Sequence, residues 1–269
     1  MIIFIESNTS GTGEYFYKYC LEKKISFKFL IKSALKYPWL KKKHYELIDT
    51  RNQKKLEKKI SHILQKNKIS FILSTSDQFI ITSNKLNAKF KISNENLNLL
   101  MTFKDKYKCL RMLRKYKLSK RKIFLIKNKK QIIKKIKFPC IIKPNSGTGS
   151  MNVYKIENRK QLILKINFLL KKKIKILVEE FVSGKEYSLE VLFFKEKIIF
   201  NQLIEKKIND EYHFVESAHI IRPKYNSKIN NLKNKILKEI KKFRKNKMFL
   251  HIEFKINDKG DIEIIEINP

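Results

Sequence analysis

Glu253, Glu266 and Asn268 stand in the stretch His251 to Pro269, HIEFKINDKGDIEIIEINP, and their side-chain oxygens are of the kind that hold a hard divalent cation. Two alternating apolar segments, Ile252 to Ile256 and Ile262 to Ile267, flank the turn-forming Asn257-Asp258-Lys259-Gly260, which predicts a β-hairpin with one glutamate on each strand. Such a hairpin sets the two carboxylates side by side, and Asn268 adds a third oxygen at the same sheet end. Mg²⁺ accepts so sparse a donor set when phosphate oxygens complete its octahedron. An ordinary solvated hairpin fits the same pattern, so the choice rests on residues upstream.

The segment Pro139-Cys140-Ile141-Ile142-Lys143-Pro144-Asn145-Ser146-Gly147-Thr148-Gly149-Ser150 reads as a buried strand that ends in a lysine and opens a loop of small residues. Lys143 can meet a phosphate as a point charge, while Gly147 and Gly149 let backbone N–H groups approach phosphate oxygens. It is not a Walker A loop, because the lysine precedes the glycines and no Gly-Lys-Ser/Thr ending follows. A third segment, Ile176 to Val191, is an apolar strand, a bend at Ser183-Gly184 and a second, alternating strand. Its backbone amides and carboxylates suit an adenosine pocket, with Glu186 on the ribose hydroxyls; a hairpin with solvated glutamates is the alternative.

In order and spacing, Lys143 with its loop, Glu179 to Glu190, and Glu253, Glu266 and Asn268 resemble the ATP-grasp superfamily, in particular its carboxylate-amine (amino-acid) ligases. The resemblance covers nearly the whole chain. It implies that Lys143 and the loop Ser146-Gly147-Thr148-Gly149-Ser150 bind nucleotide phosphates. It further makes Glu179, Glu180, Phe181 and Val182 adenine contacts, Glu186 a ribose contact, and Glu253, Glu266 and Asn268 ligands of Mg²⁺ or Mn²⁺. Thr102 to Tyr107 opens a helix running through Leu110, Leu113 and Tyr116, and its Asp105-Lys106 pair resembles the family's first phosphate-binding lysine, so Lys106 is carried over as a phosphate ligand. Glu205-Lys206-Lys207 and Phe214 to His219 resemble the segment after the adenine site, with Ala218 in place of the usual glycine. From that match Glu216, His219 and Arg222 become candidates for substrate or phosphate contacts, and Lys143, His219 and Arg222 are the candidate catalytic residues.

These residues need elements to position them. Met1 to Ile5 is an apolar strand leading into Glu6-Ser7-Asn8-Thr9-Ser10-Gly11-Thr12-Gly13 and a helix from Tyr15 to Glu22, the opening of a Rossmann-like unit. No third glycine follows at dinucleotide spacing, so NAD is not expected. Strands near 1–5, 26–31 and 69–75 complete an N-terminal domain over 1–103. The fold class expected is α/β: this Rossmann-like domain, then an ATP-grasp domain over 104–269 with a mobile lid at about 120–180. In the lid, Phe138 to Lys143 and Lys175 to Glu180 pair as strands and Gln161 to Leu170 is a helix.

A formal net charge of +37, from 62 Lys and Arg against 25 Asp and Glu, would ordinarily point to a nucleic-acid or anionic-membrane partner. Only seven of the basic residues are arginine, the residue favoured for reading bases, and the lysines spread over nearly every predicted helix. Specific nucleic-acid binding is therefore not expected, and salt-sensitive adhesion to polyanions is. No apolar run approaches the roughly 18 residues that cross a membrane. Met1 to Glu6 lacks a secretory signal, and Cys20, Cys109 and Cys140 have no paired spacing, which fits a reducing cytoplasm. The five histidines have no zinc spacing.

The activity implied by the resemblance is ATP-dependent, ADP-forming ligation of a small carboxylate to an amine, amino acids both, through an acylphosphate. Alternatives are another ATP-grasp enzyme, biotin carboxylase-like or of carbamoyl-phosphate type, and a noncatalytic nucleotide-binding or basic interaction protein. In the family an arginine and a glycine-rich turn follow the Glu-x-Asn-Pro motif. The resemblance thus implies a member truncated at its C-terminus, with weak activity or none. Apolar surface and an open sheet edge near Ile264 to Ile267 would favour a homo-oligomer.

Overall fold

The structure is a computed structural model that describes residues 1–93, 96–126, 136–147, 151–195, 197–209, 214–243, 247–257 and 259–269. It falls into two compact units, Met1–Leu97 and Asn98–Pro269.

The first unit is built on four strands: β1 (Ile2–Ile5) and β4 (Phe71–Leu73) are unbroken apolar runs, β2 (Phe27–Ile31) is interrupted only by Lys28, and β3 (Tyr45–Leu47) carries Glu46. They form a parallel sheet in the order β3-β2-β1-β4, as runs buried on both sides do. Alternate residues of β1 feed opposite cores. Ile3 and Ile5 pack with Leu56, Ile60 and Ile63, the apolar stripe of α2 (Gln53–Lys66), while Phe4 packs with Tyr17 and Cys20 of α1 (Thr12–Glu22). A third helix, α3 (Ile80–Lys89), follows β4. The three-residue strand β3 was not among the expected elements, because Tyr-Glu-Leu is too short for a period to show. The loop after β1 is tied internally: Ser7 Oγ and Thr75 Oγ1 lie 2.7 Å apart, and Asn8 Oδ1 accepts from Gly13 N. Gly13 is needed there, since a Cβ would stand 1.7 Å from Ser7 Oγ.

In the second unit two helices, α4 (Leu97–Lys104) and α5 (Lys106–Lys115), replace the single helix expected from Thr102. Asp105 separates them because its side chain caps α5 at Lys108 N. The division between units precedes the expected 103/104 boundary: α4 belongs mostly to the second unit, where Phe103 packs on Phe243. An antiparallel sheet in the order β5-β8-β6-β7 comprises β5 (Ile123–Ile126), β6 (Cys140–Pro144), β7 (Tyr154–Ile156) and β8 (Ile176–Glu180), covered by α6 (Arg159–Lys171). The pairing of β6 with β8 and the helix α6 agree with the sequence reading. A second antiparallel sheet, in the order β11-β10-β9-β12-β13, holds β9 (Lys185–Phe194), β10 (Lys197–Asn209), β11 (Val215–Ile220), β12 (Lys247–Ile256) and β13 (Ile262–Asn268), with α7 (Ser227–Ile240) between β11 and β12 in sequence.

The strands β8 and β9 are therefore not a solvated hairpin; they belong to different sheets, joined through a bend at Gly184 whose Cβ would sit 2.1 Å from the Ile256 carbonyl oxygen. The expectation of an open apolar edge near Ile264 to Ile267 is also corrected. Ile264 and Ile267 are fully buried, and the segment after α5 covers the edge: Ile264 N donates to Leu118 O, and Arg121 donates to Ile264 O at 2.7 Å. Among the described residues no helix is long and apolar enough to cross a membrane, and Cys20, Cys109 and Cys140 are each buried and unpaired.

Candidate active site

The β12–β13 hairpin positions the carboxylates. Its register sets Glu253 opposite Glu266 and His251 opposite Asn268, while Gly260 turns the chain with φ 81°. Ile252 and Phe254 point the other way into the core, so the pleat fixes the polar residues on one face. The neighbouring strand β9 adds Glu186, Ser188 and Glu190 to that face, opposite Lys255, Glu253 and His251. From β10 comes Lys206, opposite Glu186.

Charges on this face neutralise one another. The side chain of Lys206 is 1% exposed and lies 3.0 Å from Glu253, 2.6 Å from Glu216 and 3.7 Å from Glu186. Burial opposes its charge, but Glu253 and Glu216 outweigh that and raise its pKa. His251 reaches Glu190 through Nδ1 at 2.6 Å and Glu253 through Nε2 at 2.9 Å. Burial works against the imidazolium, yet these two hydrogen bonds carry its pKa up to about 9. For Glu253 the burial penalty is overcome by His251 and Lys206, which bring it down to about 2. Glu186 goes the other way: desolvation outweighs Lys206 and Lys255 and raises its pKa. At the hairpin's far strand Glu266 pairs with Lys106, the first residue of α5. Asn145 holds that helix end by accepting from Lys106 N at its carbonyl and from Tyr107 N at its side chain.

The four-stranded sheet supplies the opposite wall. Lys143 faces Leu177 and Glu179 faces Ile141 across β6 and β8, which makes the two charged residues diagonal neighbours on one face. Lys143 Nζ lies 2.8 Å from Glu179 Oε1, and Arg121 Nη1 lies 3.3 Å from the same oxygen. Desolvation would raise Glu179, but Arg121 and Lys143 prevail and hold it below the usual carboxylate range. Glu180 is engaged by the backbone of Lys122 at 2.9 Å, and the ammonium groups of Lys155 and Lys255 lie 4.8 and 5.4 Å from the centroid of the Phe181 ring.

Residues from both sheets line a cleft with about 1080 Å³ of empty space, its open mouth included. Ile141, Met151, Val153 and Ile265 make apolar walls beside Glu180, Phe181 and Val182; Lys106, Lys143, Glu186, Glu253, Glu266 and Asn268 make the polar end. Ser146 and Gly147 also line it, and Gly147 has φ 132°. Thr148, Gly149 and Ser150 lie outside the described residues. His219 and Arg222, expected as catalytic, are not brought to the cleft: His219 is exposed and bonds Glu216 at 2.5 Å, and Arg222 is exposed and bonds Glu205 at 2.8 Å.

Arg121, Lys206 and Lys255 have places in this site that motif spacing does not assign. Lys206 could have been found from strand parity, since it faces Glu186 across β10 and β9. Arg121 leaves one weaker signal: it is one of seven arginines in a chain whose default cation is lysine.

Among the described residues no group of three or more His, Cys, Asp or Glu side chains is arranged to hold a metal ion. Two carboxylates and an amide on one sheet end remain, a hard-oxygen set that fits Mg²⁺ when phosphates share its shell.

Comparison with known proteins gives the same outline. Residues 136–269 match the ATP-grasp domain. The D-alanine–D-alanine ligase of Aquifex aeolicus is 27% identical over 133 residues, which cover 49% of this chain and 46% of that protein. Among solved structures, the L-amino acid ligase from Bacillus licheniformis matches with a TM-score of 0.84 at 13% identity, over 99% of this chain and 66% of that one. A D-alanine–D-alanine ligase from Bacillus anthracis complexed with ATP matches with a TM-score of 0.68 at 16% identity, over 99% and 85%. The chain thus spans about half the length of the curated relative.

Proposed function

Because residues 136–269 of this chain belong to the ATP-grasp family, we propose that the cleft binds ATP and activates a small carboxylate for attack by an amine. The observation that carries this reading is the hairpin pair Glu253 and Glu266 in one cleft with Lys106, Lys143 and Lys255. Three cations are more than a neutral ligand needs, and two adjacent carboxylates would repel a bare polyphosphate. The combination suits a polyphosphate that arrives with a divalent cation.

In this reading the adenine lies against Ile141, Phe181, Val182 and Ile265, with the ribose near Glu186. Lys106 and Lys143 exchange their carboxylate partners for phosphate oxygens and so hold the chain of phosphates in line. Glu253, Glu266 and Asn268 would hold Mg²⁺, which when bound neutralises charge on the terminal phosphates. The acceptor's carboxylate oxygen forms a bond to the γ-phosphorus as the bond to the β–γ bridging oxygen breaks, giving an acylphosphate and ADP. An amine then attacks the acyl carbon, phosphate leaves, and the amine gives up a proton as the amide forms. No side-chain nucleophile is required. Relatives named as amino-acid and D-alanine ligases support amino acids as both substrates.

ADP release from ATP and Mg²⁺ in the presence of pooled amino acids tests the proposal. Release that depends on amino acid and falls by about a hundredfold or more in Glu266→Gln is expected; release unchanged by that substitution would overturn it.

A further inference from the structure

Arg121 lies just before β5, is 4% exposed, and touches both walls of the cleft. Its guanidinium donates to the carbonyls of Ile264 at 2.7 Å and Ile265 at 3.3 Å, on the strand that carries Glu266. Its Nη1 lies 3.3 Å from Glu179 Oε1, the oxygen that Lys143 also meets at 2.8 Å. Glu179 Oε2 is buried and has no hydrogen-bond partner among the described residues. Glu263 stands 3.9 Å from Arg121 Nε, but it is already engaged by Ser119 and Lys120.

This arrangement matters once a nucleotide enters. Lys143 cannot serve Glu179 and a phosphate equally, and a buried carboxylate left without a cation is costly. We propose that Arg121 is a positioning residue that releases Lys143: it keeps Glu179 compensated so that Lys143 can leave that carboxylate for polyphosphate. The inference rests on the nucleotide-binding reading of the cleft. Arginine suits the task because its fork holds two carbonyls and a carboxylate at once and stays charged in a buried place, whereas a lysine would have to choose among them. Without Arg121, Glu179 has only Lys143, and the phosphate must break that pair unaided.

Charge rescue separates this role from that of a merely structural arginine. Calorimetric titration with ATP and with inorganic tripolyphosphate, at constant moderate salt, is run on the intact chain and on Arg121→Met, Glu179→Gln and the double variant. Arg121→Met should weaken both ligands by on the order of tenfold, the size of one charge-assisted contact. In the double variant, where no buried carboxylate competes for Lys143, tripolyphosphate affinity should return to within about threefold of the unaltered chain. Glu179→Gln alone should bind tripolyphosphate at least as tightly as the unaltered chain, which keeps the test open if Arg121→Met does not fold. Wild-type affinity in Arg121→Met, failure of the double variant to recover, or weaker tripolyphosphate binding in Glu179→Gln would each overturn the inference. Absence of any Mg²⁺-dependent ATP binding by the unaltered chain would instead defeat the proposed function.

Discussion

Two glutamates in this molecule are buried to the same degree and treated in opposite ways. Glu6, 4% exposed at the end of β1, is met by neutral donors: Lys32 N, Tyr37 Oη and Thr50 Oγ1, each at 2.7 Å. Glu179, 3% exposed at the end of β8, is met by two cations on one oxygen, and its other oxygen has no partner among the described residues. Those donors are uncharged and held in the fold, Tyr37 Oη by Ser7 as well, so the first network is closed and its contribution is to folding. Long cationic side chains at the wall of a cleft can turn to another anion, so the second network is exchangeable. Burial alone does not mark a functional carboxylate; the kind of partner does.

That contrast can be broken most easily at Glu6. Glu6→Gln should cost about 3 kcal/mol of stability by urea unfolding, because at least one donor loses a charged acceptor inside the core, while ATP affinity stays within about twofold. Glu179→Gln should cost less, since Arg121 keeps the Ile264 and Ile265 carbonyls and Lys143 lines the cleft and can turn into it. Equal losses at both positions would remove the distinction.

The acid limb of stability sharpens it further. The folded-state pKa of Glu179 is lowered from 4.5, against burial, by Arg121 and Lys143. Its contribution is therefore fully present above pH 4.5 and is lost as pH falls through the lowered value. Unfolding measured across that window should show a shallower acid limb in Glu179→Gln than in the unaltered chain; superimposable limbs would mean that Glu179 is not held ionised. The smallest effects belong to the rim. His219→Ala and Arg222→Ala should each change ATP affinity by less than about twofold, as exposed pairs do; a tenfold loss from either would restore it to the catalytic set.

Much of the frame was legible because periodicity records burial. Apolar runs in β1, β2, β6 and β8 and alternation in β9, β12 and β13 located the strands, and the Asn257 to Gly260 turn set the register that pairs Glu253 with Glu266. Lys106, Lys143 and Glu186 were legible through resemblance, and the structure brings all three to one cleft. What the sequence hid is what depends on distance in the fold. Arg121 and Glu179 are far apart in sequence, and no local pattern announces a guanidinium that spans two sheets. The break at Asp105 was missed because the apolar spacing runs straight through it, and only the side chain's bond to Lys108 N ends one helix and starts the next. His219 and Arg222 show the same limit: a motif fixes residue types, whereas their partners Glu216 and Glu205 are set by distance in the fold.

The central claim is that this cleft holds a nucleotide with its divalent cation, and calorimetric titration of the chain with ATP, with and without Mg²⁺, tests it most directly. Salt should be moderate, so that diffuse attraction to a chain of net charge +37 is screened. Saturable, one-site binding that requires Mg²⁺ and disappears in Glu266→Gln is the predicted result. Weak binding that ignores the metal and fades as salt is raised would contradict the account.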